Sequence, residues 1–565
     1  MADEFDVIVV GSGISGGWAA KEFSEKGMKT LMIERGRHIE HMEDYEGEGL
    51  APWERDNRGK KNPNWTKEHS IQSQCYAFQD VTKHFWVNDN DHPYSQEEGH
   101  RFNWFRAEQI GGRSTLWGRQ SYRWSEMDFE ANKKDGHGVD WPIRYKDIDN
   151  WYGYVEKFAG ISGSKEGLSQ LPDGEFLPPT DMTCVEKDIS KKFEEVYEDR
   201  RMIIGRTANL TEPQPVHLEL GRGTCQSRDE CYRGCSFGAY FSSQAATLPA
   251  ANNTGNLTTV TDSIVHSVIY DAKTNKATGV RTIDANTNER KEYSARVIFL
   301  CASTLGTSHI LLNSTSETFQ NGFANSSGAV GHYLMDHIGG GGASATVPGY
   351  LDRYFHGRRP NGIYIPRFAN LNGQTEKYAR GFGYQGGSSR EGWKEGAEQT
   401  GFGAEFKESF KTPGPWRFSI GGFGEMLPRY DNSVTLHKTK VDKWGMAQLH
   451  IDCSHGENER MIQVAMAKEA AKMLRDVGLE NVVEEYNPDH IMGNGIHEMG
   501  TARMGHDPKT SVLNAYNQCH DVDNVFITDG SCMTSSACQN PSLTYMALTA
   551  RAADYAASQM KSGVL

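Results

Sequence analysis

The sequence predicts an α/β fold of two domains, the first discontinuous and interrupted by an inserted α+β unit built on an antiparallel sheet. Three observations carry this. The chain opens with a strand, a glycine turn, a helix and a second strand, all before residue 35. A buried-type strand signal returns at Asn524–Thr528 and is followed by Asp529-Gly530, as if the first unit were completed there. Between these ends, Ser419–Met426, Ser433–His437 and Met446–Ile451 read as strands with no helix between them, the mark of an antiparallel sheet. A chain of 565 residues also exceeds what one hydrophobic core organises. Residues 1–45, 100–130, 200–340 and 485–565 are therefore assigned to the discontinuous domain and 131–199 with 341–484 to the inserted one. Residues 46–99 form an excursion that covers part of the molecule.

Asp6–Val10 is a β-branched run, and Ser15–Lys26 places Ala19, Ala20 and Phe23 on one helical face before Gly27 stops it. Thr30–Glu34 is the second strand and ends on a carboxylate. Between strand and helix lies Gly11-Ser12-Gly13-Ile14-Ser15-Gly16. Its first glycine permits the tight turn, its second lets backbone approach a pyrophosphate, and its third lets helix and strand pack closely. The helix N-terminus faces phosphate with its dipole, and Glu34 stands where a carboxylate accepts hydrogen bonds from a ribose diol. A glycine turn occurs in many βαβ units. Strand, helix and acid together make this one a Rossmann-like dinucleotide site, with Gly11, Gly13, Ser15, Gly16, Glu34 and Arg35 around the ligand. The loop does not decide between NAD and FAD.

The stretch from Arg37 to Phe105 lacks periodicity and carries Pro, Gly, Trp and Asn at irregular intervals. A second glycine-rich element follows, with Gly111, Gly112, Ser114, Thr115, Trp117 and Gly118 suited to backbone and hydroxyl contacts with a flat ring, or to a plain surface loop. Val185–Tyr197 has amphipathic helical spacing. Leu257–Leu300 reads as strands with turns at Asp271–Asn275 and Asn286–Asn288, ending in the apolar strand Val297–Leu300. Ser419–Met426, Ser433–His437 and Met446–Ile451 are the strands of the antiparallel sheet, and Glu459–Val477 is a helix. The chain closes on a helix beginning at Ser542.

Composition narrows the function classes. The chain is 37% hydrophobic and 24% charged, as in a globular protein, with a formal net charge of −14 and no Arg-rich arm. Nucleic acid is thereby excluded as a partner. The N-terminus has no positive and apolar leader, and no apolar run reaches membrane-spanning length. A cytoplasmic protein without membrane insertion is expected, or a periplasmic one if a signal-bearing partner carries it. Ten irregularly spaced cysteines do not suggest a disulfide framework.

Two clusters carry chemistry. His497-Glu498 begins like a zinc motif, but Thr501 stands where the second His of H-E-x-x-H is required, so the metal reading fails. A lone His is more often structural. Asn540-Pro541 lies downstream, and an imidazole with an amide can hold a hydroxyl group, the first taking its proton and the second fixing its orientation. Cys225, Cys231 and Cys235 form C-x5-C-x3-C in a glycine-containing loop. Three thiolates suit a [3Fe-4S] cluster, whereas [4Fe-4S] usually takes a fourth Cys. Zinc with an outside His, or free or disulfide-bonded cysteines, fits the same spacing.

The ordered motifs together resemble the glucose–methanol–choline (GMC) family of flavin oxidoreductases. They are Gly11–Gly16 with Glu34, the Gly111-Gly112 loop, Ala302–Ser314, Gly331–His337, the His497 segment, Asp529-Gly530-Ser531 and Asn540-Pro541. The resemblance implies an FAD domain, to which Ala302, Asp529, Gly530 and Asn540 also contribute, and a substrate domain on an antiparallel sheet. It makes His497 the active-site base and Asn540 the second catalytic position, in hydride transfer from an alcohol carbon to flavin N5. Some sugar-oxidising members attach the flavin covalently through a His of the Gly-Gly loop. Leu116 stands there, which implies non-covalent FAD. The cysteine segment is similar to the iron–sulfur loop of bacterial FAD-dependent sugar dehydrogenases, glucoside 3-dehydrogenases among them. That implies a sugar or glycoside oxidised at C3, and a [3Fe-4S] relay to an external acceptor instead of dioxygen. It also implies a small companion subunit, with any cytochrome on another chain because C-x-x-C-H is absent.

Overall fold

The computed structural model describes residues 5–56, 62–228, 231–355, 360–371, 373–392 and 401–565. In chain order its strands are β1 (Phe5–Val10), β2 (Thr30–Ile33), β3 (Ser95–Gln96), β4 (Ile203–Ile204), β5 (Leu257–Val260) and β6 (Ser263–Asp271). Then come β7 (Lys276–Asp284), β8 (Arg290–Leu300), β9 (Gly341–Val347), β10 (Ile363–Ile365) and β11 (Phe382–Arg390). The last are β12 (Trp416–Gly424), β13 (Ser433–Val441), β14 (Ala447–Asp452), β15 (Glu480–Tyr486) and β16 (Val525–Ile527).

The first sheet runs β5-β2-β1-β8-β7-β6, with β16 also paired to β8. Its β5, β2, β1, β8 and β16 are parallel. Residues Val7–Val10 and Val297–Leu300 are buried, as strands covered on both faces must be. Strand β8 is divided along its length. Residues 290–294 pair antiparallel with β7, while Ala295–Leu300 pair with β1. The last three also pair with β16, so the C-terminal segment completes the sheet that the N-terminus began.

Helix α1 (Ile14–Glu25) crosses this sheet and packs on the closing helix Ser542–Lys561. Its approach depends on Gly16, where a Cβ would stand 1.8 Å from the carbonyl oxygen of Gly11.

The second sheet runs β15-β9-β12-β11-β10-β4 and is antiparallel throughout. Strand β12 alternates buried Trp416, Phe418 and Ile420 with exposed Arg417, Ser419 and Gly421. Helix Glu457–Asp476 packs Ile462 and Met466 over Gly424 and Gly422. One strand assignment needs correction. The expected single antiparallel sheet divides, because β14 pairs antiparallel with β13 and parallel with the two-residue β3 in a sheet of their own. So short a partner carries no periodicity that a sequence reading could detect.

The excursion is built largely of short 3-10 turns and irregular chain. Its Phe78, Phe85 and Trp86 pack with the flanking Ile39 and Phe105 around Ile110 and Leu116 of the Gly-Gly loop. Among the described residues no helix is long and apolar enough to cross a membrane.

Candidate active site

One cavity of about 880 Å³ runs between the two sheets. At one end it meets the glycine turn. Gly11 has φ 96°, a left-handed conformation that suits glycine, and Gly13 caps α1 with nothing within 4 Å of where its Cβ would be. Open space there, at a helix N-terminus, is what a pyrophosphate needs. Glu34 lines the same end and braces the turn. Its Oε2 accepts from Ser12 Oγ at 2.6 Å and Ser12 N at 3.1 Å, and its Oε1 accepts from Gly36 N at 2.9 Å. Burial raises its pKa against these donors. Ser12 Oγ in turn accepts from Gly111 N at 2.9 Å, tying the first glycine loop to the second.

Of the residues expected around the dinucleotide, Gly11, Gly13, Ser15, Glu34, Arg35, Gly112, Ser114, Trp117, Gly118, Ala302, Asp529, Gly530 and Asn540 line this cavity. Gly16, Gly111 and Thr115 stand just behind its wall. Gly16 faces the Gly11 carbonyl, a Cβ at Gly111 would meet Gln244, and Thr115 Oγ1 accepts from Gln244 Nε2 at 2.6 Å. Arg35 is ion-paired to Glu108 at 3.0 Å. Trp117 Nε1 donates to the Phe241 carbonyl at 2.8 Å.

Farther along the cavity, four segments converge on His497. Its Nδ1 is 2.7 Å from His337 Nδ1, and its Nε2 is 3.4 Å from Asn540 Nδ2. Asn540 is oriented by Gln385 of β11, whose Nε2 donates to Asn540 Oδ1 at 2.6 Å. Behind His497, Asp336 accepts from Gly495 N at 2.9 Å and His497 N at 3.0 Å. Arg113 of the Gly-Gly loop grips Glu498 through both guanidinium arms, at 3.1 and 2.7 Å. Burial holds the His497 pKa well below that of a free imidazole, reinforced by His337 and Arg113. The ring is therefore neutral and able to accept a proton at neutral pH. Burial also raises Asp336, to about 7, with Glu498 adding to the effect.

His497 and Asn540 were legible from the sequence. Their partners Asp336, His337, Gln385 and Arg113 were not identified as part of the site. His337 and Asp336 close a motif already singled out, but nothing local joins them to a residue 160 positions away.

The cysteine loop lies against the cavity wall. Arg119, which lines the cavity, donates to the Cys231 carbonyl at 2.7 Å and lies 5.1 Å from the Tyr232 ring. Cys225, Cys231 and Cys235 are free and partly buried. Burial raises the Cys225 thiol pKa, and the other two thiols add to this, so the three share one electrostatic neighbourhood. Among the described residues no three His, Cys, Asp or Glu side chains are arranged to hold a metal ion. The donor set suits a three-thiolate cluster, but the thiols are not gathered into a closed ligand set.

A glycine turn braced by an acid, a second glycine loop tied to it, and a neutral imidazole beside an amide define a flavin-linked alcohol oxidoreductase. The chain belongs to the GMC oxidoreductase family, whose models match residues 5–339 and 428–549, and FAD is the family's cofactor. It is 26% identical to 2-methyl-1,2-propanediol dehydrogenase of Mycolicibacterium austroafricanum, over 98% of this chain and 95% of that one. It is 24% identical to the fructose dehydrogenase large subunit of Gluconobacter japonicus, covering 99% and 98%. Paromamine 6'-oxidase of Streptomyces fradiae is 25% identical, with 99% and 92% covered. Among solved structures, pyridoxine 4-oxidase from Mesorbium loti shares the fold, with a TM-score of 0.60 at 16% identity over 98% of this chain and 99% of that one.

Proposed function

We propose that this chain is a dehydrogenase that oxidises a secondary alcohol of a sugar or glycoside, at ring carbon C3, to the keto sugar. The observation that carries the reading is the His497–Asn540 pair at one end of a cavity whose other end is the glycine cradle. When bound, FAD supplies the acceptor for the two electrons that leave the alcohol carbon. Gly11, Gly13, Glu34 and the Gly112–Gly118 loop would hold it, without a covalent bond because Leu116 offers no nucleophile.

His497 Nε2 takes the hydroxyl proton, which raises the electron-donating power of the carbon. Asn540 Nδ2, its own carbonyl held by Gln385, binds the same oxygen. Tyr76 and Trp86 of the excursion, with Trp104 after it, line the cavity, where excluding water would favour the transfer. The sugar assignment is supported by resemblance to sugar dehydrogenases, and by relatives named for fructose and gluconate oxidation.

Cys225, Cys231 and Cys235 would have to draw together to hold a [3Fe-4S] cluster, which when bound would supply a one-electron outlet toward an external acceptor. One observation supports a negative group there. Arg222, 1% exposed, donates only to the carbonyls of Gly238, Phe158 and Ala159, and no carboxylate pairs with it among the described residues. Burial lowers its pKa to about 9, and Cys235 alone opposes this. A small companion subunit and a cytochrome-type acceptor complete the proposal, with export depending on that subunit.

The purified protein is tested by its absorption spectrum, its iron and sulfide content, and a panel of sugars assayed with dye and with oxygen. Three irons per flavin and a 3-keto product are expected. Peroxide formation at the rate of dye reduction would instead make it an oxidase. His497→Ala is expected to lower kcat by about 10²- to 10⁴-fold while FAD stays bound. Turnover undiminished in that variant would remove His497 from the mechanism.

A further inference from the structure

An imidazole acts as a base only through an unprotonated ring nitrogen, and His497 has two. Nε2 faces Asn540 on the cavity side, and Nδ1 lies 2.7 Å from His337 Nδ1 behind it. Two ring nitrogens at that separation share one proton, so one donates and the other accepts. His337 decides which. Its Nε2 is 3.0 Å from the Ala537 carbonyl oxygen, an atom that can only accept, so that nitrogen carries hydrogen. A second proton would make His337 a cation, but the ring is 1% exposed and makes no ion pair with a carboxylate among the described residues. Burial pushes its pKa down to about 4. His337 Nδ1 is therefore bare at neutral pH. The shared proton belongs to His497 Nδ1, and His497 Nε2 is left bare toward the cavity.

We propose that His337 is a positioning residue that fixes His497 as its Nδ1-protonated tautomer and so makes Nε2 the base of alcohol oxidation. This rests on His497 being that base. A neutral acceptor differs from the carboxylate that often orients a catalytic imidazole. When Nε2 takes the substrate proton, Nδ1–H still donates to His337, yet no buried ion pair forms to trap the cation. The other charged groups around the ring do not change this. Arg113 is matched by Glu498, and Asp336 meets the base through backbone amides, not through the ring. The Phe423 ring, uncharged, has its centroid 6.3 Å away.

Two substitutions separate this role from packing. Asparagine at 337 places an acceptor oxygen close to where Nδ1 stood, and glutamine places a donor close to where Nε2 stood. His337→Asn is expected to keep kcat within about tenfold of the parent, while His337→Gln and His337→Leu lose on the order of 10²- to 10⁴-fold with KM little changed. An anchor to Ala537 alone would reverse the order of Asn and Gln, and that order overturns the proposal. ¹⁵N-histidine NMR of the FAD-loaded, unsubstituted protein needs no variant to fold. Nδ1-protonated His497 is expected at neutral pH, and an Nε2-protonated ring refutes the assignment. Retained turnover in His497→Ala would refute the base itself, a separate failure that leaves the NMR result to judge His337.

Discussion

Ile496 is a β-branched residue at φ 60°, immediately before His497. Left-handed backbone at such a residue costs on the order of 1–3 kcal/mol and persists only where its surroundings impose it. Asp336 imposes it, by accepting the amide hydrogens of Gly495 and His497 on either side. Both bonds end on one buried side chain, which sets the strain and the aim of the imidazole together. Asp336→Ala is expected to reduce kcat by about 100-fold through misplacement of His497, with FAD affinity unchanged. Stopped-flow kinetics and flavin titration check the two halves. At this scale the sequence disclosed types but not partners. His497 and Asn540 stood out because each lies in a recognisable local motif. Gln385 sits mid-strand in β11, and only its bond to Asn540 marks it.

The element that does most for the cofactor end is the turn between β1 and α1. Its three glycines are not equivalent, and substitution separates their duties. Gly16→Ala would put a methyl group 1.8 Å from a backbone oxygen, so strand and helix must part. Overpacking of this kind costs about 1–3 kcal/mol or more, and a lowered urea midpoint is expected even without FAD. Gly13→Ala meets nothing within 4 Å, so the apoprotein should keep its stability within about 1 kcal/mol. Its methyl group would enter the phosphate cradle and weaken FAD at least about tenfold. Equal loss of apoprotein stability in the two variants would contradict this division. The turn was readable because its geometry is fixed within a few residues. The strands Ser433–His437 and Met446–Ile451 were also readable, but not their sheet, since pairing with Ser95–Gln96 is a long-range choice that no local pattern encodes.

Across the whole molecule, burial sets a pH dependence of stability. His217, His309, His337 and His455 are each pushed down to about 4 by burial. Their unfolded forms bind protons near pH 6.5, so between about pH 4 and 6.5 the unfolded chain binds more protons than the folded one. Stability from these groups therefore rises with pH across that window and levels above it. Asp128, raised to about 6, and Asp336, raised to about 7, act with the opposite sign. His41, His69, His84, His266, His490 and His497 are also lowered by burial, and Glu34 and Asp529 raised. Imidazoles outnumber opposing carboxyls, so a net rise in the urea midpoint from pH 4.5 to 6.5 is predicted, followed by equilibrium unfolding at fixed FAD. A flat or falling midpoint would show that the imidazoles are not held neutral. The sequence by itself determined the local geometry: the glycine turn on its strand and helix, the amphipathic helices, and the imidazole and amide in their motifs. These follow from preferences within a turn or two of chain. Only the tertiary structure decided that residues 336–337, 385, 497 and 540 meet at one point and that β16 closes the sheet begun by β1. Such contacts depend on how distant segments pack to bury apolar surface, and a hydrogen bond that fixes a tautomer exists only after that packing is complete.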